Sequence, residues 1–349
     1  MRDPSSKPET RPRLLDMTPE EMARSVEALG HPAYRARQLR DWLFGKSIVE
    51  PERMTNLPPG FVDHFRILTS RIIRLRRSRD RTVKLLIELE DGPAIESVMI
   101  PTGRRFTACV STQAGCAMGC VFCASGRDGL RRNLRAGEIL EQVLHLQRKT
   151  GRRITHVVFM GMGEPLANYD AVLSAVRALI DPDRFALSAR HVTLSTVGIP
   201  DRIQRLSRED LPVNLAISLH AADDALRRRL IPSCAGTPIE EIAAAAETFR
   251  LSRNRRLTLE YTLLDGINDS PIQADKLARL ARRLKAMVNL IRYNPVPSLP
   301  FRGPSEERME LFAERLKKSG VNAQIRRSRG ADADAACGQL RMRGESPDS

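Results

Sequence analysis

The sequence is poor in aromatic residues, short of acidic ones and without a long apolar run. Aromatics make up 4% of the 349 residues, with a single Trp, which argues against a platform that stacks many unpaired bases on exposed rings. No stretch reaches the roughly 18 apolar residues that a membrane-spanning helix needs. Met1 to Arg13 is polar and Pro-rich; it lacks the apolar segment of a secretory signal and reads as a disordered tail. Six cysteines in so long a chain are too few for a disulfide framework. A cytoplasmic protein with reduced thiols and no membrane contact is expected. Asp and Glu number 42 against 57 Lys and Arg, a formal charge of +15, with a pI of about 10.2. That excess favours a polyanion, most simply nucleic acid, over a basic surface kept for solubility.

Against this background three cysteines stand close together in Gly115-Cys116-Ala117-Met118-Gly119-Cys120-Val121-Phe122-Cys123, spaced C-x3-C-x2-C. Zinc sites pair C-x2-C with a second pair or with histidines. Here no second pair follows, and the nearest downstream histidine, His145, lies in a predicted helix. A four-iron cluster takes four thiolates when fully ligated, so three leave one iron open to bind something else. Zinc or plain thiols are the alternative reading.

Periodicity divides the chain. Residues 18–68 form a small helical unit, with Thr18, Pro19 and Glu21 in the pattern of a capping box and Tyr34 to Phe44 at helical spacing. Arg81 to Glu88 and Ala94 to Ile100 alternate as strands around an Asp91-Gly92 turn. From residue 106 strands alternate with helices: strands at 106–111, 154–160, 191–196, 213–219, 257–264, 287–293 and 321–327, with helices such as 136–149, 271–285 and 305–318 between them. This predicts an α/β fold, a partial (β/α)6 barrel carrying a small N-terminal helical domain and a linking β-hairpin. The expected divisions are a tail at 1–13, an RNA-contacting helical domain at 14–70, the hairpin at 71–104, the barrel with a C-terminal loop at 105–343, and a tail at 344–349.

In such barrels chemistry gathers where the strands end. The cysteine loop, Gly161-Met162-Gly163-Glu164-Pro165, Ser195-Thr196, Ser218-Leu219-His220 and Asn294-Pro295 each follow a predicted strand, and Cys337 comes after the last. Each alone is an ordinary turn or cap; their shared position predicts a site. Gly161 and Gly163 admit a ligand close to the backbone. Glu164 suits an ammonium group, and Ser195, Ser218 and Asn294 suit ribose hydroxyls or an adenine edge. The segment around Cys337 is small, polar and Gly-flanked, and reads as a mobile loop that leaves its thiol accessible. Cys109 falls within the first barrel strand. Cys234 reads as a small core residue, and burial is the bland alternative for Cys109 and Cys337 too.

The cysteine triplet resembles that of the radical S-adenosylmethionine (SAM) superfamily, in which it holds a [4Fe–4S] cluster and SAM chelates the fourth iron. A longer ordered set resembles the RlmN/Cfr family of RNA methyltransferases. It comprises Pro32-Ala33-Tyr34-Arg35-Ala36-Arg37-Gln38-Leu39 with Trp42-Leu43, Ile95-Glu96-Ser97-Val98, Cys109 to Cys123, Arg132-Asn133-Leu134, Gly161 to Leu166 and Ala335-Ala336-Cys337-Gly338-Gln339-Leu340.

The resemblance implies that Cys116, Cys120 and Cys123 hold the cluster. It also implies that Gly163, Glu164, Ser195, Ser218, Leu219, His220 and Asn294 bind SAM. Two SAM molecules serve each turnover: one methylates Cys337, and the other yields a 5′-deoxyadenosyl radical that activates that methyl group. The methylene radical adds to C2 of an adenine in 23S rRNA or tRNA. Cys109 then attacks the Cys337 sulfur to form a transient disulfide, and Glu96 is the proton acceptor. An electron donor such as flavodoxin or ferredoxin, and a monomeric state, are also implied. Adenine C2 is electron-poor and has no lone pair to attack SAM, so radical chemistry suits it; a cysteine carrier divides the transfer into easier steps.

Departures from the family pattern fall at Ala167-Asn168, at Ser298 and at Ser328-Arg329-Gly330, and bear on the target more than on the chemistry. Methylation at adenine C8, radical chemistry on a non-RNA substrate, and a metal-stabilised RNA-binding module without enzymatic activity are the rival readings.

Overall fold

The computed structural model describes residues 11–252, 255–297 and 299–341. Most of the two expected tails and the departure at Ser298 lie outside the described residues. The helical unit opens with α1 (Pro19–Ala28), whose Thr18 side chain accepts the Glu21 N–H while the Glu21 carboxylate accepts the Thr18 N–H. This capping box satisfies two of the amides that a helix start leaves unpaired. α2 (Tyr34–Arg40) is shorter than its periodicity suggests, because the chain widens into one π turn at Asp41–Gly45. Met22, Val26, Leu39 and Leu43 from this unit enter the same hydrophobic core as the barrel.

Four antiparallel strands follow: β1 (Arg71–Arg77), β2 (Val83–Glu88), β3 (Ala94–Thr102) and β4 (Arg105–Cys109). A small pair, β5 (Gln113–Gly115) and β6 (Leu130–Asn133), brackets the triplet loop. The alternating part then runs α3 (Ala136–Thr150), β7 (His156–Phe159), α4 (Tyr169–Ile180), β8 (Val192–Thr196), α5 (Pro200–Arg208), β9 (Asn214–Ser218), α6 (Asp224–Leu230), α7 (Ile239–Leu251), β10 (Leu257–Leu263), α8 (Pro271–Leu284), β11 (Met287–Arg292), α9 (Glu306–Lys318) and β12 (Ala323–Arg326). Ten strands form one sheet in the order β1-β2-β3-β4-β7-β8-β9-β10-β11-β12, parallel from β4 onward. This is the expected α/β architecture, with the hairpin strands continuing the barrel's own sheet. β1 escaped the periodicity because it is an edge strand with arginines at half-exposed positions and a bulge between Ile72 and Arg74, so neither face carries an apolar stripe.

A buried carboxylate joins the helical side to the barrel. Glu141 of α3 accepts the N–H of Thr69 at 2.8 Å and of Ser70 at 2.9 Å, while the Ser70 hydroxyl lies 3.0 Å from His145 Nε2. Burial raises the pKa of Glu141 and pushes that of His145 down to about 4.

Candidate active site

The parallel strands all deliver their C-terminal ends to one side. Two adjoining cavities open there, of about 160 and 280 Å³. The smaller is lined by Cys116, Cys120, Cys123, Gly163, Glu164, Ser195, Ser218 and His220. The larger is lined by Cys109 and Asn294. Cys337, Arg326, Met160 and Ile291 stand on the wall common to both. The structure thus gathers most of the expected site residues, with Cys337 between the triplet chamber and the Cys109 chamber.

In the triplet, burial raises all three thiols, Cys116 to about 11; Cys123 and Cys116 further oppose a Cys120 thiolate, while hydrogen bonds from Ser125 and Gly126 partly offset burial at Cys123. A buried trio of mutually repelling thiolates suits a strongly cationic iron–sulfur centre, which would hold them deprotonated. Among the described residues no three His, Cys, Asp or Glu side chains converge to hold one metal ion. The donor set and the cavity beside it fit a cluster with one open iron.

Gly163 has φ +99°, and a Cβ there would meet the Gln113 side chain at 2.5 Å and its backbone N at 2.8 Å. The turn therefore packs against β5 with no room for a side chain, and Gln113 Oε1 accepts the Glu164 N–H at 2.8 Å. Glu164 is buried; its two carboxylate oxygens accept the N–H of Leu166 at 2.9 Å and of Val197 at 2.8 Å. Desolvation nonetheless raises its pKa. Ser195 and Ser218 face each other at 3.1 Å between their hydroxyls. His220 accepts the Thr262 N–H at its Nδ1 at 3.1 Å, and burial drives its pKa down to about 3, so the ring is neutral and carries its proton on Nε2.

Two expected cofactor ligands are placed differently. The Leu219 side chain lies in the core, and only its backbone is near the site, its N–H donating to Glu260 O at 3.0 Å. Asn294 lies with the cysteine pair, where its Nδ2 donates to Cys337 O at 3.2 Å.

Cys109 is buried and Cys337 exposed. Burial, reinforced by the Cys337 thiolate, pushes the Cys109 thiol up to about 12, while the Arg326 guanidinium opposes the shift. The six cysteines are all free, so the expected Cys109–Cys337 pairing is not a bond of this folded state. The segment carrying Cys337 is tied on every side. Its Asp334 pairs with Arg76 at 2.9 Å, Gly330 N–H donates to Asp80 at 3.1 Å, Gly338 O accepts the Ala124 N–H at 2.8 Å, and Ser125 Oγ donates to Leu340 O at 2.5 Å. These bonds replace the mobility expected from composition, because small residues let the backbone approach its partners closely. Glu96 lies behind this segment, paired with Lys84 at 2.9 Å and accepting the Arg341 N–H at 3.1 Å; it lines neither cavity.

Arg326, Glu260 and Lys84 were not singled out in the sequence. Glu260 is buried on the triplet chamber with Oε2 unpartnered and Oε1 accepting from Asn289 at 2.9 Å. A charged residue inside an apolar parallel strand, as in Leu257-Thr258-Leu259-Glu260-Tyr261, was the available signal.

Comparison with known proteins agrees with this geometry. The family model described as Radical SAM superfamily matches residues 110–278, and that described as Ribosomal RNA large subunit methyltransferase N-terminal domain matches residues 13–61. The chain is 46% identical, over 94% of its length and 98% of the relative, to the probable dual-specificity RNA methyltransferase RlmN of Thermosynechococcus vestitus. It is 44% identical, over 94% of its length and 97% of the relative, to the dual-specificity RNA methyltransferase RlmN of Syntrophobacter fumaroxidans. A crystal structure of a radical SAM methyltransferase from Sphaerobacter thermophilus superposes with a TM-score of 0.91 at 43% identity, covering 95% of this chain and 100% of that one.

Proposed function

Because this chain belongs to the RlmN family of radical SAM methyltransferases, we propose that it methylates C2 of adenine in 23S rRNA and tRNA, with Cys337 as the methyl carrier. The carrying observation is the position of Cys337 on the wall shared by the triplet chamber and the Cys109 chamber. Cys116, Cys120 and Cys123 would hold a [4Fe–4S] cluster, which with bound SAM supplies a carbon radical able to take hydrogen from an unreactive methyl group. Gly163, Glu164, Ser195, Ser218 and His220 line the chamber where SAM would lie.

Cys337 first takes a methyl group as its thiolate displaces it from one SAM. A second SAM is spent in removing one hydrogen atom from that methyl group; the methylene carbon then bonds to adenine C2, and the adduct would return one electron to the cluster and lose its C2 proton. Cys109, as thiolate, attacks the Cys337 sulfur to form a disulfide; the sulfur–carbon bond breaks with its electron pair passing to the methylene carbon, which takes up a proton and stays on the base as the new methyl group. Arg326 favours the Cys109 thiolate. Glu96, its pKa raised by burial, takes the C2 proton in this reading; it stands behind both cavities, with Oε2 on the Arg341 N–H, so the step requires the Arg341 segment to move aside. The helical unit at 14–70 adds a basic contact for RNA outside the barrel.

The test is mass spectrometry of RNA digested after incubation with SAM, reductant and reconstituted enzyme, alongside the Cys337→Ala protein. The reading predicts 2-methyladenosine with the wild type and none with the variant. A methyl group at C8 would overturn the regiochemistry alone; methylation by the variant would overturn the carrier.

A further inference from the structure

The Cys109 chamber is continued by a second opening. Arg105, Thr107 and Cys109 all line the chamber, at alternate positions of β4, so it follows the strand for about 13 Å at ~3.3 Å per residue. At its far end it meets a cavity of about 710 Å³, with Thr102 and Arg329 lining both. Five arginines from separate elements line this mouth: Arg77 at the end of β1, Arg81 in the β1–β2 turn, Arg104 in the β3–β4 turn, Arg152 after α3 and Arg329 after β12. All five are exposed. The one carboxylate there, Asp80, accepts the N–H of Thr82 at 3.0 Å and of Gly330 at 3.1 Å and pairs with Arg329 at 3.9 Å, so one acid faces five cations. Among the described residues no ion pair engages Arg81, Arg104 or Arg152; Arg152 lies over the Phe106 ring at 5.5 Å.

Five guanidinium groups around a passage that leads to the thiol pair are unusual, since like charges brought together cost free energy unless an anion joins them. From this we infer that the arginine mouth seats the phosphates flanking the target nucleotide, while its base passes inward along β4 towards Cys109 and Cys337. The inference rests on the RNA-methyltransferase reading and adds the face on which RNA lies. Guanidinium forks match phosphate oxygens, and the contacts carry no base information. The mouth therefore serves any RNA able to extrude the base, which suits two different RNA targets.

The test uses an Arg104→Gln/Arg152→Gln protein and, as a control of equal charge loss, Arg279→Gln/Arg282→Gln on the outer face of α8, each reconstituted. Binding of an in vitro transcribed tRNA is measured against salt, separately from methylation. The mouth variant is expected to raise KM for RNA about tenfold with kcat within about twofold, and to flatten the log–log salt slope by about 1.5, the loss of two phosphate contacts. The control is expected to keep the wild-type KM and slope. Unchanged binding in the mouth variant, or an equal loss in the control, overturns the inference. Wild type that methylates no RNA overturns the underlying reading instead, and wild type and mouth variant methylating alike overturn only the placement of the RNA.

Discussion

Lys84 Nζ and Glu96 Oε1 lie 2.9 Å apart, with both side chains almost wholly buried. The same ammonium donates to Asp334 O at 2.9 Å, so one lysine fixes both the carboxylate and the segment bearing Cys337. Lys84→Met leaves a buried carboxylate without its counter-charge, which costs about 3–5 kcal/mol when one partner of such a pair is removed. Urea unfolding of the variant should show that loss, and Lys84→Met/Glu96→Gln should recover most of it. A loss below about 1 kcal/mol, within the range of exposed pairs, would count against this role.

Burial, with the charge of the neighbouring Cys337, pushes the Cys109 thiol up to about 12 in the resting fold. Once Cys337 carries a carbon substituent it is neutral and no longer repels a Cys109 thiolate, while Arg326 still attracts one. The Cys109 thiol then sits lower but remains raised by burial. Release of RNA from the covalent adduct should accelerate with pH across the neutral range, by about tenfold per unit while thiolate is scarce. Decay of a gel-resolved adduct measures this; a pH-independent decay would show that another group limits release. Cys109→Ala should let the adduct accumulate.

Gly163→Ala places a Cβ 2.8 Å from the Gln113 backbone N at a φ of +99°. The backbone conformation alone costs about 1–3 kcal/mol for a residue with a side chain, and the clash moves β5 and the Glu164 turn. SAM affinity of the reconstituted variant, by calorimetry, should fall by more than tenfold. Gly151→Ala, at φ +64° with nothing within 4 Å, carries strain without a clash and should leave SAM affinity unchanged.

His145 is held neutral in the fold, its pKa depressed to about 4 from an ordinary 6.5. Above about pH 6.5 both folded and unfolded chains leave it neutral and stability is complete. As pH falls from 6.5 to 4 the unfolded chain binds a proton that the folded chain refuses, and stability drops, by up to about 3 kcal/mol. Glu141 beside it, with a raised pKa, acts in the opposite sense. The difference between wild type and His145→Gln, followed by melting temperature against pH, isolates the histidine; parallel curves would exclude it.

The sequence carried the barrel well because its seven parallel strands are short apolar runs between helical stretches, and because Thr18, Pro19 and Glu21 mark a helix start by their chemistry alone. It did not show β1, whose arginines hide an edge strand, or β5 and β6, which are too short for any period. Cys116, Cys120 and Cys123, the proposed cluster ligands, stood out by spacing. The approach of Cys337 to Cys109 depends instead on β12 leading a loop back across the sheet, a contact between distant parts of the chain that periodicity does not encode. Arg326 and Glu260 were overlooked because a charge within a strand reads first as an interruption, although in a barrel it marks an inward-facing polar position. The family resemblance implies Leu219 at the cofactor, and its side chain belongs to the core.

The Ala124 N–H and the Ser125 hydroxyl donate to the carbonyls of Gly338 and Leu340, which ties two distant stretches into one unit. The stretch that presents Cys337 is sewn to the stretch that follows Cys123, so a displacement of one carries the other with it. A change at either place would be felt at both of the chemistries proposed for this side of the barrel.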